Sequence, residues 1–194
     1  MNTNAAESFI QRSRVFPSKG NPVSPTRTFA AHDVLFEDPI GVGGFKLVRL
    51  ARLRDFTEPV AVASCRAFGA SDSHTMTSMA EADLKKETSL IRRLVHTNIV
   101  EVLGWCAAPF YMIMPYYIHG SLGDYLRSHT ASARLGLHFM LGITDGVHFL
   151  HTKRPLVVHC DLKSSNVLIG AELQPKIADF GLSRRQHGSE LLRY

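Results

Sequence analysis

Residues 159–166 read His-Cys-Asp-Leu-Lys-Ser-Ser-Asn, and residues 179–181 read Asp-Phe-Gly. Two short apolar runs lie between these motifs, at residues 167–169 and 177–178, and they predict two strands. A hairpin made of these strands would hold the polar ends of the two motifs at a constant separation. The stretch therefore predicts a rigid hairpin that carries a functional site.

These motifs resemble the catalytic loop and the metal-binding motif of eukaryotic protein kinases. The resemblance implies that Asp161 accepts the proton of a substrate hydroxyl and that Lys163 lies beside the transferred phosphate. It also implies that Asn166 and Asp179 hold Mg²⁺ through their oxygen atoms. The alternative is a chance string in a hydrolase or a binding domain, which the order of the matched positions disfavours.

Residues 40–48 read Ile-Gly-Val-Gly-Gly-Phe-Lys-Leu-Val and resemble the glycine-rich loop over the nucleotide phosphates in that family. Glycines allow backbone N–H groups to approach phosphate oxygens without a clash from Cβ. The resemblance implies that Ile40, Gly41, Gly43 and Val48 contact ATP. A glycine turn between two strands is also common in unrelated proteins, so this loop supports the interpretation only together with the other motifs.

Residues 112–117 resemble the strand that leads into the hinge between the two kinase lobes. Met114 takes the gatekeeper position, Pro115 stands where a glutamate is common, and the backbone of Tyr117 is expected to face the adenine edge. The resemblance also implies that Ala63 and Leu168 contact the nucleotide.

The resemblance assigns Glu87 to the glutamate of the family's helix C, because the turn that follows this helix is matched by residues 96–100. The alternative is that Glu87 is one of several acidic residues on a solvated helix face. In the family, this glutamate pairs with a lysine that ends a Val-Ala-Ile-Lys pattern.

That lysine is missing here, because residues 60–63 and 62–65 both fit the start of the pattern and neither ends in lysine. Lys46 instead replaces the third glycine of the loop. With Cys65 at the end of Val-Ala-Ser-Cys, this arrangement resembles the with-no-lysine kinases, in which the loop lysine reaches the phosphates from the adjacent strand. Side chains on neighbouring antiparallel strands lie close enough for such an exchange. The alternative is that Lys46 is a solvent-facing cation and the nucleotide site is degraded.

The order of predicted elements indicates an α+β fold of two lobes, similar to that of protein kinases. We expect residues 33–117 to form a five-stranded lobe with one helix and residues 118–194 to form part of a helical lobe. Residues 1–32 contain several prolines and turn formers and predict a disordered leader. The chain stops fifteen residues after Asp179, so the expectation is a truncated kinase domain. Strands are expected at residues 40–50, 60–65, 99–106 and 110–116, and helices at residues 78–95, 121–128 and 134–151.

Composition narrows the classes of partner and location. The 22 basic and 17 acidic residues give a net charge of +5 without a block of like charges, so a nucleic-acid partner is not expected. Pro109 and Pro115 break the longest uncharged stretch, so no membrane span is expected. The three cysteines form no CxxC pair, which favours a reducing, cytoplasmic location.

Three functions remain open at this point. The first is an ATP- and Mg²⁺-dependent serine/threonine kinase that acts on a protein substrate, favoured by retention of Asp161, Asn166 and Asp179. A lysine two residues after Asp161 is typical of serine/threonine and tyrosine-kinase-like members and unusual in tyrosine kinases. The second is a pseudokinase that binds nucleotide or a regulatory protein without transfer, favoured by the missing lysine. The third is a truncated product without activity, favoured by the end of the chain at Tyr194.

Overall fold

The computed structural model describes residues 27–43, 45–54, 56–66 and 74–186. The described part is α+β, as the sequence predicts, with short 3₁₀ turns at Ala31–Asp33 and Ser164–Asn166. Its helices are α1 (His74–Ile91), α2 (Leu122–Ser128) and α3 (Ala133–His151). Its strands are β1 (Arg27–Phe29), β2 (Val34–Val42), β3 (Lys46–Leu53), β4 (Val60–Cys65), β5 (Gly104–Ala107), β6 (Phe110–Pro115), β7 (Leu156–Val158), β8 (Val167–Ile169), β9 (Pro175–Ile177) and β10 (Arg184–Gln186).

Six strands form one sheet in the order β1-β5-β6-β4-β3-β2. Every neighbouring pair is antiparallel except β1 and β5, which run parallel. The central strand β4 is buried on both faces, which explains why its sequence is a continuous apolar run. Val60 and Val62 pack into a cluster on one face, while Ala63 packs into a second cluster on the other.

Helix α1 covers the second face of the sheet. Its buried positions are Ala80, Leu84, Glu87, Thr88 and Ile91, which recur at helical spacing and form one stripe. Leu84 and Ile91 join the same cluster as Met112. A carboxylate is thereby carried into the interior on an otherwise core-forming face.

Helix α3 packs against the strand pair β8–β9. Its buried residues are Phe139, Gly142, Gly146 and Leu150, again on one stripe. The segment after α1 joins this region through backbone hydrogen bonds from Val100 N to the Ile177 carbonyl (3.0 Å) and from Ile177 N to the Asn98 carbonyl (2.8 Å). The hairpin predicted from the two motifs therefore exists and is braced on two sides.

The sheet has six strands in place of the five that the sequence predicts. The extra strand, β1, comes from the segment interpreted as a disordered leader, of which residues 1–26 lie outside the described residues. It forms because Phe29 has an apolar partner, with its ring centroid 5.7 Å from that of Phe56. The predicted strand at residues 99–106 is shorter than expected, since Ile99 pairs with Ile177 instead of with the sheet.

The helix boundaries also differ slightly from the predictions. Helix α1 begins four residues earlier and ends four residues earlier than residues 78–95, because Arg93 N and Leu94 N turn back to Leu90 and Ile91 as a tightened last turn. The predicted cap of α2 is confirmed, with Ser121 Oγ accepting a hydrogen bond from Asp124 N at 3.1 Å. No helix in the described part of the chain is long and apolar enough to cross a bilayer.

Candidate active site

Lys46 lies at the first position of β3, directly opposite Cys65 on β4. Its Nζ atom lies 3.0 Å from both Oε1 and Oε2 of Glu87 and 2.7 Å from Oδ1 of Asp179. Residues far apart in the sequence therefore meet at one cation. The structure brings Lys46, Glu87 and Asp179 together.

The charge on Lys46 is stabilised by these two carboxylates. Burial by itself lowers the pKa of the Lys46 ammonium, but attraction to Glu87 and then to Asp179 more than offsets this effect. The pKa is therefore raised above its ordinary value, and the side chain is cationic throughout the physiological range. A constant positive charge is thus held where the resemblance expects phosphates.

Glu87 connects helix α1 to the Asp-Phe-Gly segment. Its Oε1 atom accepts the Lys46 contact and also a hydrogen bond from Phe180 N at 3.2 Å. Both Glu87 and Phe180 are buried. Because a buried carboxylate needs full pairing, this double contact anchors α1 in one position relative to Asp179.

Asp161 is the centre of a second cluster. Its Oδ2 atom accepts hydrogen bonds from Lys163 Nζ at 2.8 Å and from Asn166 Nδ2 at 2.9 Å. The hydrogen bond from Lys163 is the main reason that the pKa of Asp161 is lowered, so the carboxylate is ionised at neutral pH. Both of these donors therefore contact the same carboxylate oxygen, Oδ2.

Asn166 and Asp179 lie at adjacent ends of β8 and β9. The backbone of Ala178, next to Asp179, donates a hydrogen bond to the Asn166 carbonyl at 2.8 Å. The Asn166 amide nitrogen is engaged by Asp161, so its side-chain oxygen is directed away from that residue. One amide and one carboxylate oxygen form a hard donor set, and these residues fit a Mg²⁺ ion.

Two residues beside this site adopt the left-handed backbone conformation, Cys160 at φ 65° and Asp179 at φ 62°. Residues other than glycine rarely adopt this backbone conformation, because it is strained. Strained conformations of this kind are concentrated at functional sites. Cys160 directly precedes Asp161, and Asp179 is itself the residue that contacts Lys46. The local backbone is therefore held in place by its surroundings.

Three contacts around His159 were not assigned from the sequence. His159 Nε2 forms a hydrogen bond with the Ala178 carbonyl at 2.9 Å, and its ring packs edge-on against Phe180 with centroids 4.8 Å apart. Ser183 Oγ donates to the His159 carbonyl at 3.2 Å. His159 is the first residue of the motif at residues 159–166, so its place in the sequence was a usable signal.

An apolar wall lies beside these polar clusters. Val48, Ala63 and Met112 stand side by side on β3, β4 and β6, and Met114 follows on β6 opposite Ala61. Leu168 on β8 packs against the same apolar cluster. The structure thus brings together four of the predicted nucleotide-binding residues, namely Val48, Ala63, Met114 and Leu168.

The remaining predicted nucleotide contacts lie at the loop and the hinge. Ile40 is largely exposed, Gly41 pairs with Val48 on the neighbouring strand, and Gly43 N donates to the Lys46 carbonyl at 2.7 Å to close the turn. The Tyr117 side chain is buried, and its carbonyl accepts a hydrogen bond from Gly120 N at 2.9 Å. Tyr117 can therefore offer its backbone N–H to a ligand more readily than its carbonyl.

Residues 34–193 match the family model of protein tyrosine and serine/threonine kinases. The chain is 34% identical over 166 residues to the probable serine/threonine-protein kinase pats1 of Dictyostelium discoideum, covering 79% of this chain and 5% of that protein. It is 33% identical over 186 residues to calcium/calmodulin-regulated receptor-like kinase 1 of Arabidopsis thaliana, covering 93% and 40% respectively. It is 41% identical over 111 residues to the leucine-rich repeat receptor protein kinase MSL1 of Oryza sativa subsp. japonica, covering 54% and 8%. The chain spans less than half the length of each of these relatives.

Proposed function

Since the chain belongs to the protein tyrosine and serine/threonine kinase family, we propose that it binds ATP with Mg²⁺ and transfers the γ-phosphate to serine or threonine hydroxyls of a protein. The observation that carries this proposal is the contact of Lys46 with both Glu87 and Asp179. Phosphoryl transfer is catalysed mainly by positioning and by charge complementary to the phosphates. A cation braced by two carboxylates supplies part of that charge.

Lys46 takes the role of the lysine that is absent from β4. The register of the sheet supports this role, because Lys46 faces Cys65 across one antiparallel pair of strands. Cross-strand neighbours have Cβ atoms about 4.5–5.5 Å apart, so a lysine side chain from either strand reaches the same space. In this role Lys46 contacts nucleotide phosphates while Glu87 holds its ammonium group in position.

Asp161 orients the substrate hydroxyl and receives its proton on Oδ1. Lys163 and Asn166 hold the other oxygen, which prevents the carboxylate from rotating away. The Lys163 ammonium also lies near the place where the transferred phosphate would carry negative charge. The acid–base chemistry is therefore assigned to Asp161, and its geometry to its two neighbours.

Asn166 and Asp179 would hold Mg²⁺, which when bound neutralises charge on the phosphate oxygens. Asp179 is held in place by Lys46 and by its strained backbone. The purine would lie on the apolar wall, with the backbone of Tyr117 at its edge. The proposed contacts to the nucleotide are Ile40, Gly41, Gly43, Val48, Ala63, Met114, Tyr117 and Leu168.

We assign the protein to the cytoplasm. Cys65, Cys106 and Cys160 are all unpaired, as expected in a reducing compartment. The partner is a protein that carries the acceptor hydroxyl or that regulates the domain. The names of the relatives describe serine/threonine and receptor-like kinases, and this supports a protein substrate.

One observation favours nucleotide binding without transfer as a second function. Asp179 is an implied metal ligand, yet its Oδ1 atom is held by Lys46 at 2.7 Å. A metal and an ammonium group compete for the same oxygen. If the ammonium keeps it, the domain binds nucleotide as a pseudokinase and acts through a regulatory protein.

Thermal unfolding with ATP, in the presence and absence of Mg²⁺, tests the binding claim. We expect ATP to raise the unfolding temperature mainly when Mg²⁺ is present, because the two implied ligands are oxygen donors. Asp179→Asn should remove the Mg²⁺-dependent part of this increase. A folded sample that shows no increase with ATP would exclude the proposed binding, and binding without phosphate transfer would select the second function.

Three variants test the role of Lys46. Lys46→Gly should lose about 1.5–3 kcal/mol of ATP affinity, the contribution of a charge-assisted contact. Cys65→Lys alone should not improve binding, because two cations would compete for one anionic site. The double variant Lys46→Gly with Cys65→Lys should recover most of the affinity. If Lys46→Gly binds ATP like the parent, Lys46 is only a loop cation.

A further inference from the structure

Strand β1 docks against β5 at Gly104, where only a residue without a Cβ atom leaves room for it. Arg27, Thr28 and Phe29 pair in parallel with Gly104, Trp105 and Cys106, and Arg27 N donates to the Leu103 carbonyl at 3.2 Å. A Cβ atom on residue 104 would fall 2.5 Å from the ring of Phe29 and closer still to the carbonyl oxygen of Arg27. Any larger residue at position 104 would therefore displace β1.

The side chains of β1 are held by one aromatic ring. Phe29 packs edge-on against Phe56 at 5.7 Å, and the Arg27 guanidinium lies 5.8 Å from the centroid of the same ring. Cation–π and aromatic contacts of this kind contribute modestly when exposed. A three-residue edge strand with these contacts buries little apolar surface, and segments of this kind open locally at a lower free energy than the core of a protein.

Strand β1 pairs with the segment whose Trp105 side chain contacts the end of helix α1, the helix that carries the buried Glu87. Thr28 faces Trp105 in the register, and the Trp105 ring lies 4.2 Å from the guanidinium carbon of Arg92. Arg92 follows α1 directly, and its N–H donates to the Thr88 carbonyl at 3.1 Å. The side chain of Trp105 therefore packs against the end of the helix that carries Glu87.

We propose that Arg27–Phe29 is a detachable strand whose docking at Gly104 holds Trp105 against Arg92 and so keeps α1 and Glu87 in the position that pairs with Lys46. With the strand docked, the Lys46–Glu87 contact is formed; with it released, the last turn of α1 loosens and the contact weakens. The segment that precedes the catalytic domain thereby controls the site from the opposite edge of the sheet. The effect on nucleotide rests on the proposed function, whereas the effect on α1 does not.

The experiment uses the full chain with Gly104→Ala, which blocks the docking of β1, and Gly136→Ala as the matched control. A Cβ on residue 136 meets no atom within 4 Å among the described residues, so the control adds the same methyl group without a clash. Three measurements need no nucleotide: tryptic cleavage after Arg27, hydrogen exchange of residues 84–91, and fluorescence. The chain has a single tryptophan, Trp105, so its emission reports directly on the docking of β1.

Gly104→Ala should increase cleavage after Arg27 by about tenfold or more, because the strand is released. It should also increase exchange in residues 84–91 and shift the Trp105 emission to longer wavelength, whereas Gly136→Ala should increase neither cleavage nor exchange and should leave the emission unchanged. Affinity for ATP with Mg²⁺ should fall by about fivefold or more. Phe29→Ala should give the same pattern without adding an atom to the sheet, and it decides the question if Gly104→Ala does not fold.

Unchanged cleavage after Arg27 in both variants would overturn the detachable strand. Increased cleavage with unchanged exchange in residues 84–91 would overturn the coupling to α1. If the parent binds no ATP at all, the proposed function fails, and the exchange measurement still decides the coupling.

Discussion

Lys46 keeps two carboxylates together that would otherwise repel each other. Its ammonium group contacts Glu87, which is buried, and Asp179, which is 43% exposed. The two acids therefore differ in how much they depend on the lysine. Water can solvate Asp179 if the lysine is removed, but within the part of the chain that the structure describes Glu87 has only Phe180 N as a further hydrogen-bond partner.

Lys46→Met should lower the free energy of unfolding by about 3 kcal/mol, because it leaves a buried carboxylate without its cation. Adding Glu87→Gln should restore most of this loss, since a neutral amide needs no counter-charge and can still accept from Phe180 N. Urea denaturation of the two variants measures both effects.

The matched control is Lys86→Met on the same helix as Glu87, which removes an exposed pair with Asp83 and should change stability by less than about 0.5 kcal/mol. Equal losses for Lys46→Met and Lys86→Met would contradict the structural importance of the Lys46–Glu87 pair.

The raised pKa of Lys46 predicts a stability change at alkaline pH. A lysine whose pKa is higher in the folded state contributes stability that is fully present below the unfolded value of about 10.5 and is lost as the pH rises through the folded value. The stability difference between the parent and Lys46→Met should therefore stay constant from about pH 8 to pH 10 and shrink above about pH 10.5. Chemical denaturation at each pH measures it, and a difference that grows with pH would refute the shift.

Helix α3 depends on two close approaches at glycine positions. A Cβ on Gly142 would fall 2.6 Å from Cγ of Pro175, and one on Gly146 would fall 2.8 Å from Cδ1 of Ile177. These glycines let the helix lie directly on β9. This close contact of α3 with β9 supports the hairpin that carries Asn166 and Asp179.

Gly142→Ala should destabilise the protein by about 1–3 kcal/mol, because the added methyl group pushes α3 away from β9. Gly136→Ala on the same helix should instead stabilise it by about 0.5–1 kcal/mol, since alanine loses less backbone entropy and meets no neighbour. Thermal or urea denaturation compares the two substitutions. Equal effects would show that α3 is not held by a close contact at residue 142.

Two of the apolar clusters lie on the two faces of the six-stranded sheet. The largest cluster extends from α1 through Met112 to Ile177 and Phe180, so it spans both the sheet and the hairpin. A separate cluster on the opposite face of the sheet includes Phe29 and Phe56 at its margin. Strand β1 thus packs against the cluster that contains Val60 and Val62, whereas Phe180, next to Asp179, belongs to the cluster that contains Met112.

A chain that begins at Val34 should be less stable than the parent by about 1–2 kcal/mol, because it lacks the apolar burial of Phe29 and the pairing of β1. A chain that begins at Thr26 retains β1 and should unfold at the denaturant concentration of the parent. Equilibrium denaturation of the three chains separates the two effects. Equal midpoints for the parent and the Val34 chain would show that Arg27–Phe29 is dispensable for stability, as the sequence predicts for the leader.

Local motifs predicted much of the fold and most of the candidate site. The α+β class, the hairpin and α3 followed from apolar periodicity, since the burial of one face imposes that spacing on the sequence. The pairing of Lys46 with Glu87 was one of two alternatives that the sequence left open, and it came from the resemblance to the with-no-lysine kinases. The roles of these side chains stay predictions until nucleotide binding is measured.

Three features depended on contacts between distant parts of the chain. Strand β1 was not predicted because three residues carry too little periodicity, and its docking depends on the lack of a side chain at Gly104. The shortening of the strand at residues 99–106 reflects competition between the sheet and β9 for Ile99. The role of His159 depends on the Ala178 carbonyl, which folding brings to 2.9 Å. Sequence patterns record which residues need burial or a particular backbone conformation, whereas the choice among possible partners is made by packing of the complete chain.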